Sequence, residues 1–379
     1  MSKLADVVVV GGGAIGLSLA YELARRGVKV KVFDVGPFGR GSSWAGAGIL
    51  APWCARPPHD PLEALRDLSV RLHVQWAEEL RERTGIDTGY CRSGGVEVAF
   101  TESEVAELVR LHALWGNAGI ACENLTAADR LHLEPALSQE LAAAVFLPDK
   151  AQLRNPWHIR ALVAANQALG VQLFPECPVE SFEVQAGRLA AVRTQVGAFA
   201  CGQAVVCAGA WSEKILESVG VPISTPPVKG QIVLLNAGGL APHRIIEHGS
   251  LYLVPRADGR VLVGSTEEHV GFDTRPTLAA RTDLQAEAIR LCPALEDAPV
   301  ETAWAGLRPG SMDTLPYIGA VPGYRGLHVA TGHFRAGLQL SPGTAVVMAD
   351  LLTGRTPAVP TGPFGVERTP RVEPPLFRS

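Results

Sequence analysis

An α/β fold, α+β over the whole chain, is predicted by three features of the sequence. They are a strand–glycine turn–helix–strand unit over 7–34, a second buried strand ending in small residues near 204–212, and a strand-rich stretch over 223–304. The first is the most informative. Val7, Val8, Val9 and Val10 read as a buried strand, and Gly11-Gly12-Gly13-Ala14-Ile15-Gly16 follows at once. A helical segment then runs to Arg26, Gly27 stops it, and Val28, Val30 and Val32 alternate with lysines before Asp34. Strand, glycine turn, helix, strand and terminal acid in this register make a Rossmann-like dinucleotide unit. Gly11 permits the tight turn, Gly13 lets the backbone approach a pyrophosphate, and Gly16 lets helix and strand pack closely. Ala14 and Ile15 open the helix, whose first N–H groups and dipole favour a diphosphate. Asp34 stands roughly 20 residues beyond the glycines, where a carboxylate can accept from ribose hydroxyls.

Bulk properties narrow the function classes. The 379 residues allow two or three domains, and 47% hydrophobic content suffices for a substantial core. A formal charge of −4 argues against a nucleic-acid partner, which needs a clustered basic face. Seven cysteines, without a CxxC pair, suit a reducing compartment better than a disulfide framework or a zinc site. The first strand starts close to Met1 and no apolar run reaches the ~20 residues of a membrane span. The expectation is a cytoplasmic, soluble protein with no metal and no membrane partner.

After Asp34, residues 39–48 are almost all small, including Ser42, Ser43, Ala47 and Gly48. Such a stretch builds no core, but its backbone can lie against a flat, extended ligand. Residues 61–83 place Leu65, Leu68, Leu72, Trp76 and Leu80 on one helical face, with Asp60 as N-cap and Pro61 at the first helical position. Residues 95–100 alternate like a strand, and Thr101 with Glu104 forms a capping box before a second helix. Asn155 and Pro156 open another helix, with Ile159, Leu162 and Val163 inward, ending at Gly170 before a strand over 171–174. Residues 204–212 read as a buried strand that ends in Ala208, Gly209 and Trp211, a second close approach of backbone to a ligand. Contacts at this many places point to FAD, a long dinucleotide. Residues 251–255 and 261–264 flank Asp258-Gly259 as a hairpin. Ser341 and Pro342 look like the N-cap and first position of a helix through Leu352, whose positive end would face the flavin pyrimidine. The last ~20 residues, rich in proline and arginine, read as a loosely held tail.

With 304–310 (Trp-Ala-Gly-Leu-Arg-Pro-Gly), 316–319 (Pro-Tyr-Ile-Gly) and 331–337 (Thr-Gly-His-Phe-Arg-Ala-Gly) in view, the chain resembles the FAD-dependent D-amino-acid-oxidase superfamily. Within it, the glycine oxidases of thiamine biosynthesis are the nearest in pattern. The resemblance spans nearly the whole chain, tight at 7–50, 151–158, 204–212, 251–273 and 303–343 and loose at 55–135. It implies a discontinuous FAD-binding domain from 1–88, 150–222 and 305–365. A mixed-sheet substrate domain from 89–149 and 223–304 and a tail over 366–379 complete the chain. It implies oxidation of glycine, sarcosine or small D-amino acids to an imine by hydride transfer from Cα to flavin N5. Oxygen then gives hydrogen peroxide, the imine feeds the thiazole of thiamine, and the protein is a homo-oligomer, often a homotetramer.

The resemblance also assigns residues. Arg308 matches the arginine that holds the substrate carboxylate, a role that a guanidinium fork fills bidentately. Tyr252 matches a tyrosine that adds a hydroxyl to the same carboxylate, and Arg335 a second arginine near the flavin. Val179 matches a valine whose backbone meets adenine. His333, Gly337 and Leu338 belong to the flavin-side loop, where His333 reads as a structural histidine bonded to backbone. No acid–base residue is required, because a neutral amine can lose its Cα hydrogen as hydride under positioning and electrostatic control alone. No cysteine follows Cys292, so the FAD is expected to be non-covalent. Two departures bear on the substrate site and the ribose site: Asp34 stands where the family has glutamate, and Ser250, Leu251 and Glu267 stand near the substrate strands. A quinone-linked amino-acid dehydrogenase, the flavin domain of a tRNA-modifying enzyme and a non-catalytic flavoprotein subunit share the same cofactor motifs. Peroxide formation, a basic groove and anaerobic bleaching by an amine respectively separate them from an oxidase.

Overall fold

The computed structural model describes residues 5–58, 60–370 and 377. Two eight-stranded sheets organise the chain. The first is built on the valine strand Ala5–Val10, whose side chains are buried on both faces from Val7 to Val10. It pairs in parallel with Val30–Phe33 on one side and with Gly197–Val206 on the other. Gln172–Phe174 and Leu327–Thr331 extend the parallel set, and Tyr317–Ala320 closes that edge antiparallel. Parallel strands end together, so the loops after Val10, Phe33, Val206 and Thr331 gather at one edge, where open α/β sheets bind ligands.

Helices cover this sheet, two of them buried nearly all round and two along one face. Ala14–Arg25 buries Leu17, Leu19, Ala20 and Leu23 against Val9 and Val32. Pro61–Thr84 starts at Asp60, whose carboxylate accepts from the N–H groups of Leu62 and Glu63. Of its expected inner face, Leu65, Trp76 and Leu80 are fully buried, while Leu68 and Leu72 pack at the margin. Asn155–Ala168 and Gly337–Leu352 complete this layer. None of the helices among the described residues is long and apolar enough to cross a membrane.

The second sheet mixes antiparallel and parallel pairs in strands drawn from 95–147 and 227–309. The expected hairpin forms as Leu251–Pro255 against Arg260–Gly264, turned by Asp258-Gly259 with Gly259 at φ 81°. The capping box at Thr101 and Glu104 is present at the start of Glu102–Ala118. Strand Val300–Pro309 runs the whole way along Pro227–Asn236, so the expected boundary at 304/305 falls inside one continuous strand.

Two expectations change. Helix Gly337–Leu352 begins four residues before Ser341, because the short 3-10 turn Phe334–Ala336 winds directly into it. Ser341 is therefore not an N-cap, and Pro342 sits inside the helix. Proline supplies no N–H to Leu338 O, and that carbonyl instead accepts from Ser341 Oγ at 2.8 Å and approaches His73 Nε2 at 3.1 Å. The tail is also tied down where it is described: Arg368 makes a two-pronged buried ion pair with Asp313 at 2.7 and 2.9 Å. Phe377 stacks on Trp115 at 5.9 Å. Residues 371–376, 378 and 379 lie outside the described residues.

Candidate active site

The glycine turn is shaped by what its missing side chains would strike. A Cβ on Gly16 would lie 1.9 Å from Gly11 O, and one on Gly11, at φ 109°, would lie 2.4 Å from Cys207 O. These two glycines let turn, helix and the neighbouring strand close on one another. Gly13 differs, since a Cβ there would meet only Ser43 Oγ, at 3.0 Å. The helix that starts at Ala14 has no acidic residue in its first turn, and Ser43 Oγ accepts from Ala14 N at 2.8 Å. Asp34 holds the turn from the far side: its carboxylate accepts from Gly12 N at 2.6 Å and Gly36 N at 2.9 Å. Burial pushes the Asp34 carboxyl above its ordinary value, and these N–H groups pull against that shift. A carboxylate with these N–H partners keeps lone-pair capacity for hydroxyl donors.

The other residues expected beside the flavin come to the same edge. Cys177 N donates to Asp34 O at 2.8 Å, which brings the start of strand Val179–Gln185 beside Asp34. Ala208, Gly209 and Trp211 follow strand Gly197–Val206, where Thr331 Oγ1 donates to Gly209 O. Ser42 Oγ donates to Leu307 O, and Asn155 Nδ2 to Ser43 O at 2.8 Å. Gly48, at φ 78°, passes so close to Leu153 O that a Cβ would lie 2.1 Å away. His333 is buried with its Nε2 3.0 Å from Thr344 Oγ1, so its partner is a hydroxyl and not backbone. Burial pulls the His333 imidazole down to about 3, which keeps it neutral and structural. The first turn at Gly337 and Leu338 carries no acidic residue, a second helix start of positive polarity.

The residues expected to meet the substrate converge from two strands and a turn. Arg308 lies near the end of Val300–Pro309 and donates from Nη2 to Ser265 Oγ at 2.5 Å and from Nη1 to Thr266 O at 3.1 Å. Tyr252 also hydrogen-bonds Ser265, and the charges of Arg308 and Arg335 act on it. Burial raises the Tyr252 hydroxyl, so it stays protonated. Arg335 comes in from the 3-10 turn and donates to Glu267. Burial, and then the neighbouring Arg335, lower the Arg308 guanidinium below its usual value, yet it remains a cation at neutral pH.

Several residues in this arrangement carried no signal in the sequence. Gly230 lies under Arg308: a Cβ there would be 2.2 Å from Nη2. Gly264 gives way to the Tyr252 ring in the same manner, with its would-be Cβ 2.7 Å from the hydroxyl. Arg256 reaches from the second sheet to Ala47 O at 2.7 Å and Gln152 Oε1 at 2.6 Å. A cleft lined by Arg40, Ser42, Trp211, Trp304 and Gly306 opens beside these groups.

The donor set on the first sheet suits FAD: main-chain N–H groups at a helix start for the pyrophosphate, hydroxyls at Ser42 and Ser43, and one carboxylate for a ribose. Comparison with known proteins agrees. The family model for FAD dependent oxidoreductase matches residues 6–351. The glycine oxidase of Pseudomonas putida is 39% identical over 369 residues, covering 97% of this chain and 99% of the relative. The bifunctional protein ThiO/ThiG of Trichormus variabilis is 33% identical over 351 residues, 92% of this chain and 52% of that protein. The crystal structure of glycine oxidase from Geobacillus kaustophilus superposes with a TM-score of 0.91 at 35% identity, covering 96% of this chain and 99% of that one. With the cradle and the full-length likeness together, the chain belongs to the FAD-dependent oxidoreductase family and takes FAD as its cofactor.

Proposed function

We propose that this enzyme oxidises glycine and similarly small amines, such as sarcosine or a small D-amino acid, to the imine. In this reading the half built on the first sheet holds FAD, without a covalent bond, and the half built on the second holds the substrate. Gly11, Gly13, Ala14, Ile15, Gly16, Asp34, Ser42, Ser43, Ala47, Gly48, Val179, Ala208, Gly209, Trp211, His333, Arg335, Gly337 and Leu338 form the cofactor's surroundings. Bound there, FAD supplies a two-electron acceptor for the Cα hydride, with oxygen as final acceptor and hydrogen peroxide as product. The chain's own part is positioning. Arg308 takes the substrate carboxylate, the Tyr252 hydroxyl adds a donor, and Arg335, paired with Glu267, lines the site nearby.

No side chain has to move a proton at Cα. His333 is buried and neutral, and Tyr252 is held protonated, so neither is poised as a base. Rate then comes from orientation and from electrostatics in a site screened from water. The observation that carries the reading is Arg308. It is a half-buried guanidinium held by a hydroxyl and a carbonyl, with no carboxylate partner among the described residues. Because the relatives include glycine oxidases and a ThiO/ThiG fusion, we assign the imine to the thiazole moiety of thiamine.

Anaerobic mixing of the yellow protein with glycine, sarcosine, D-proline and D-alanine tests the reaction. Bleaching by at least one of them, with peroxide formed on readmitting air, is the expected result. A flavin that none of them reduces would sink the reading. Arg308→Ala is expected to keep its FAD and to lose about 2–5 kcal/mol of carboxylate binding, seen as a KM raised at least about thirtyfold. A near-normal KM removes Arg308 from the site.

A further inference from the structure

Two adjacent acids follow strand Arg260–Gly264, and they face different ways. Glu268 turns to Thr266 Oγ1 at 2.5 Å and Gln231 Nε2 at 2.7 Å, with Lys229 beyond. Glu267 instead accepts from Arg335. The Arg335 hydrogen bond holds the Glu267 carboxyl below its ordinary value, and the charges of Arg335, Arg308 and His269 add to this. Glu267 is thus ionised throughout the neutral range, beside two guanidinium groups.

Arg335 has a hydrogen-bonded anionic partner inside the protein, whereas the hydrogen-bond partners of Arg308 among the described residues, Ser265 and Thr266, are neutral. Arg308, Arg335 and Glu267 together carry one net positive charge, and Arg308 is the guanidinium to which no carboxylate is hydrogen-bonded among the described residues. A ligand with one carboxylate satisfies that charge. A second carboxylate reaching toward Arg335 finds the guanidinium already paired and Glu267 beside it, a like charge at short range.

We propose that Glu267 is a specificity-determining residue that confines the site to amines carrying a single carboxylate and turns away aminodicarboxylates. The proposal rests on the assignment of Arg308 as the carboxylate-binding residue. Glu267 works by occupying Arg335 and by repelling a second anion, and without it the site would present two guanidinium groups not paired with this carboxylate.

The test uses the FAD-loaded enzyme and two unreactive acids, glycolate with one carboxylate and malonate with two. Binding of each is followed by flavin absorbance and by calorimetry. Wild type is expected to prefer glycolate, and Glu267→Gln and Glu267→Met to shift the glycolate-to-malonate ratio toward malonate by at least about tenfold. Glu267→Asp, which keeps the charge, is expected to restore the wild-type ratio, and the shift should shrink at high ionic strength. Turnover of iminodiacetate relative to glycine should rise in parallel in the Gln and Met variants. An unmoved ratio in both of those variants, or an Asp variant that behaves like Gln, overturns the proposal while leaving glycine oxidation intact. Failure of wild type to bind glycolate at all removes the Arg308 assignment and this inference with it.

Discussion

In the function proposed above, the glycine turn and the arginine cluster meet the same demand, holding a small anionic group, in opposite ways. At the turn the groups proposed to meet the ligand are main-chain N–H groups, and they come from one unbroken stretch of sequence. At the cluster they are side chains delivered by three separate segments: Tyr252 from one strand, Arg308 from another and Arg335 from a turn in the other half. The difference shows in what each glycine touches. A Cβ on Gly16 would strike backbone, whereas one on Gly230 would strike the far end of the Arg308 side chain. Backbone cannot retreat, but a guanidinium can. The first kind of site should therefore fail by losing its fold, and the second by losing its aim.

Gly16→Ala puts that contrast under the heaviest load. With Gly11 O only 1.9 Å from the new Cβ, the turn and helix must separate. The expected cost exceeds about 3 kcal/mol, with little flavin retained. The flavin-to-protein absorbance ratio and a thermal melt check it, and a normally yellow, normally stable variant would contradict the account. Gly230→Ala should do the reverse. The chain folds and keeps its FAD, but Arg308 is displaced, and KM for glycine rises about tenfold while kcat falls less. Steady-state kinetics decide this one, and an unchanged KM would mean that Arg308 is not held as described.

The smallest effect concerns charge in the second half. His248, on strand Ile245–His248, lies between Glu287 at 2.7 Å and Glu104 at 3.2 Å, each on a different helix. The Glu287 hydrogen bond raises the His248 imidazole above its ordinary value. A raised histidine adds stability in full below its unfolded value of about 6.5 and loses it as pH climbs through the folded value. The pairs are partly exposed and screened, so His248→Gln should lower Tm by only about 1–2 °C at pH 6 and by nothing measurable near pH 9. A gap that stayed constant with pH would assign His248 a packing role instead.

The same contrast explains what could be read from the sequence. The glycine turn, its helix and Asp34 were legible because a backbone requirement leaves its mark within a short window. Arg308, Tyr252 and Arg335 were legible only through their family motifs, since nothing local distinguishes such residues from surface ones. Gly230, Ser265 and Arg256 left no trace, because their meaning depends on partners tens to hundreds of positions away. Ser341 misled for a related reason. A serine before a proline is a good start signal, but the helix had already begun at Gly337, and Leu338 O found Ser341 and His73 as substitutes for the missing proline N–H.

Strand Val300–Pro309 ties the halves together more firmly than a linker would. Trp304 Nε1 grips Ala45 O at 2.9 Å, Ser42 Oγ reaches Leu307 O, and Arg308 follows directly. Anyone transplanting a relative's substrate half into this protein would have to carry the 42–48 loop and Asn155 along with it. A graft cut at the strand alone would arrive with its guanidinium aimed by foreign neighbours.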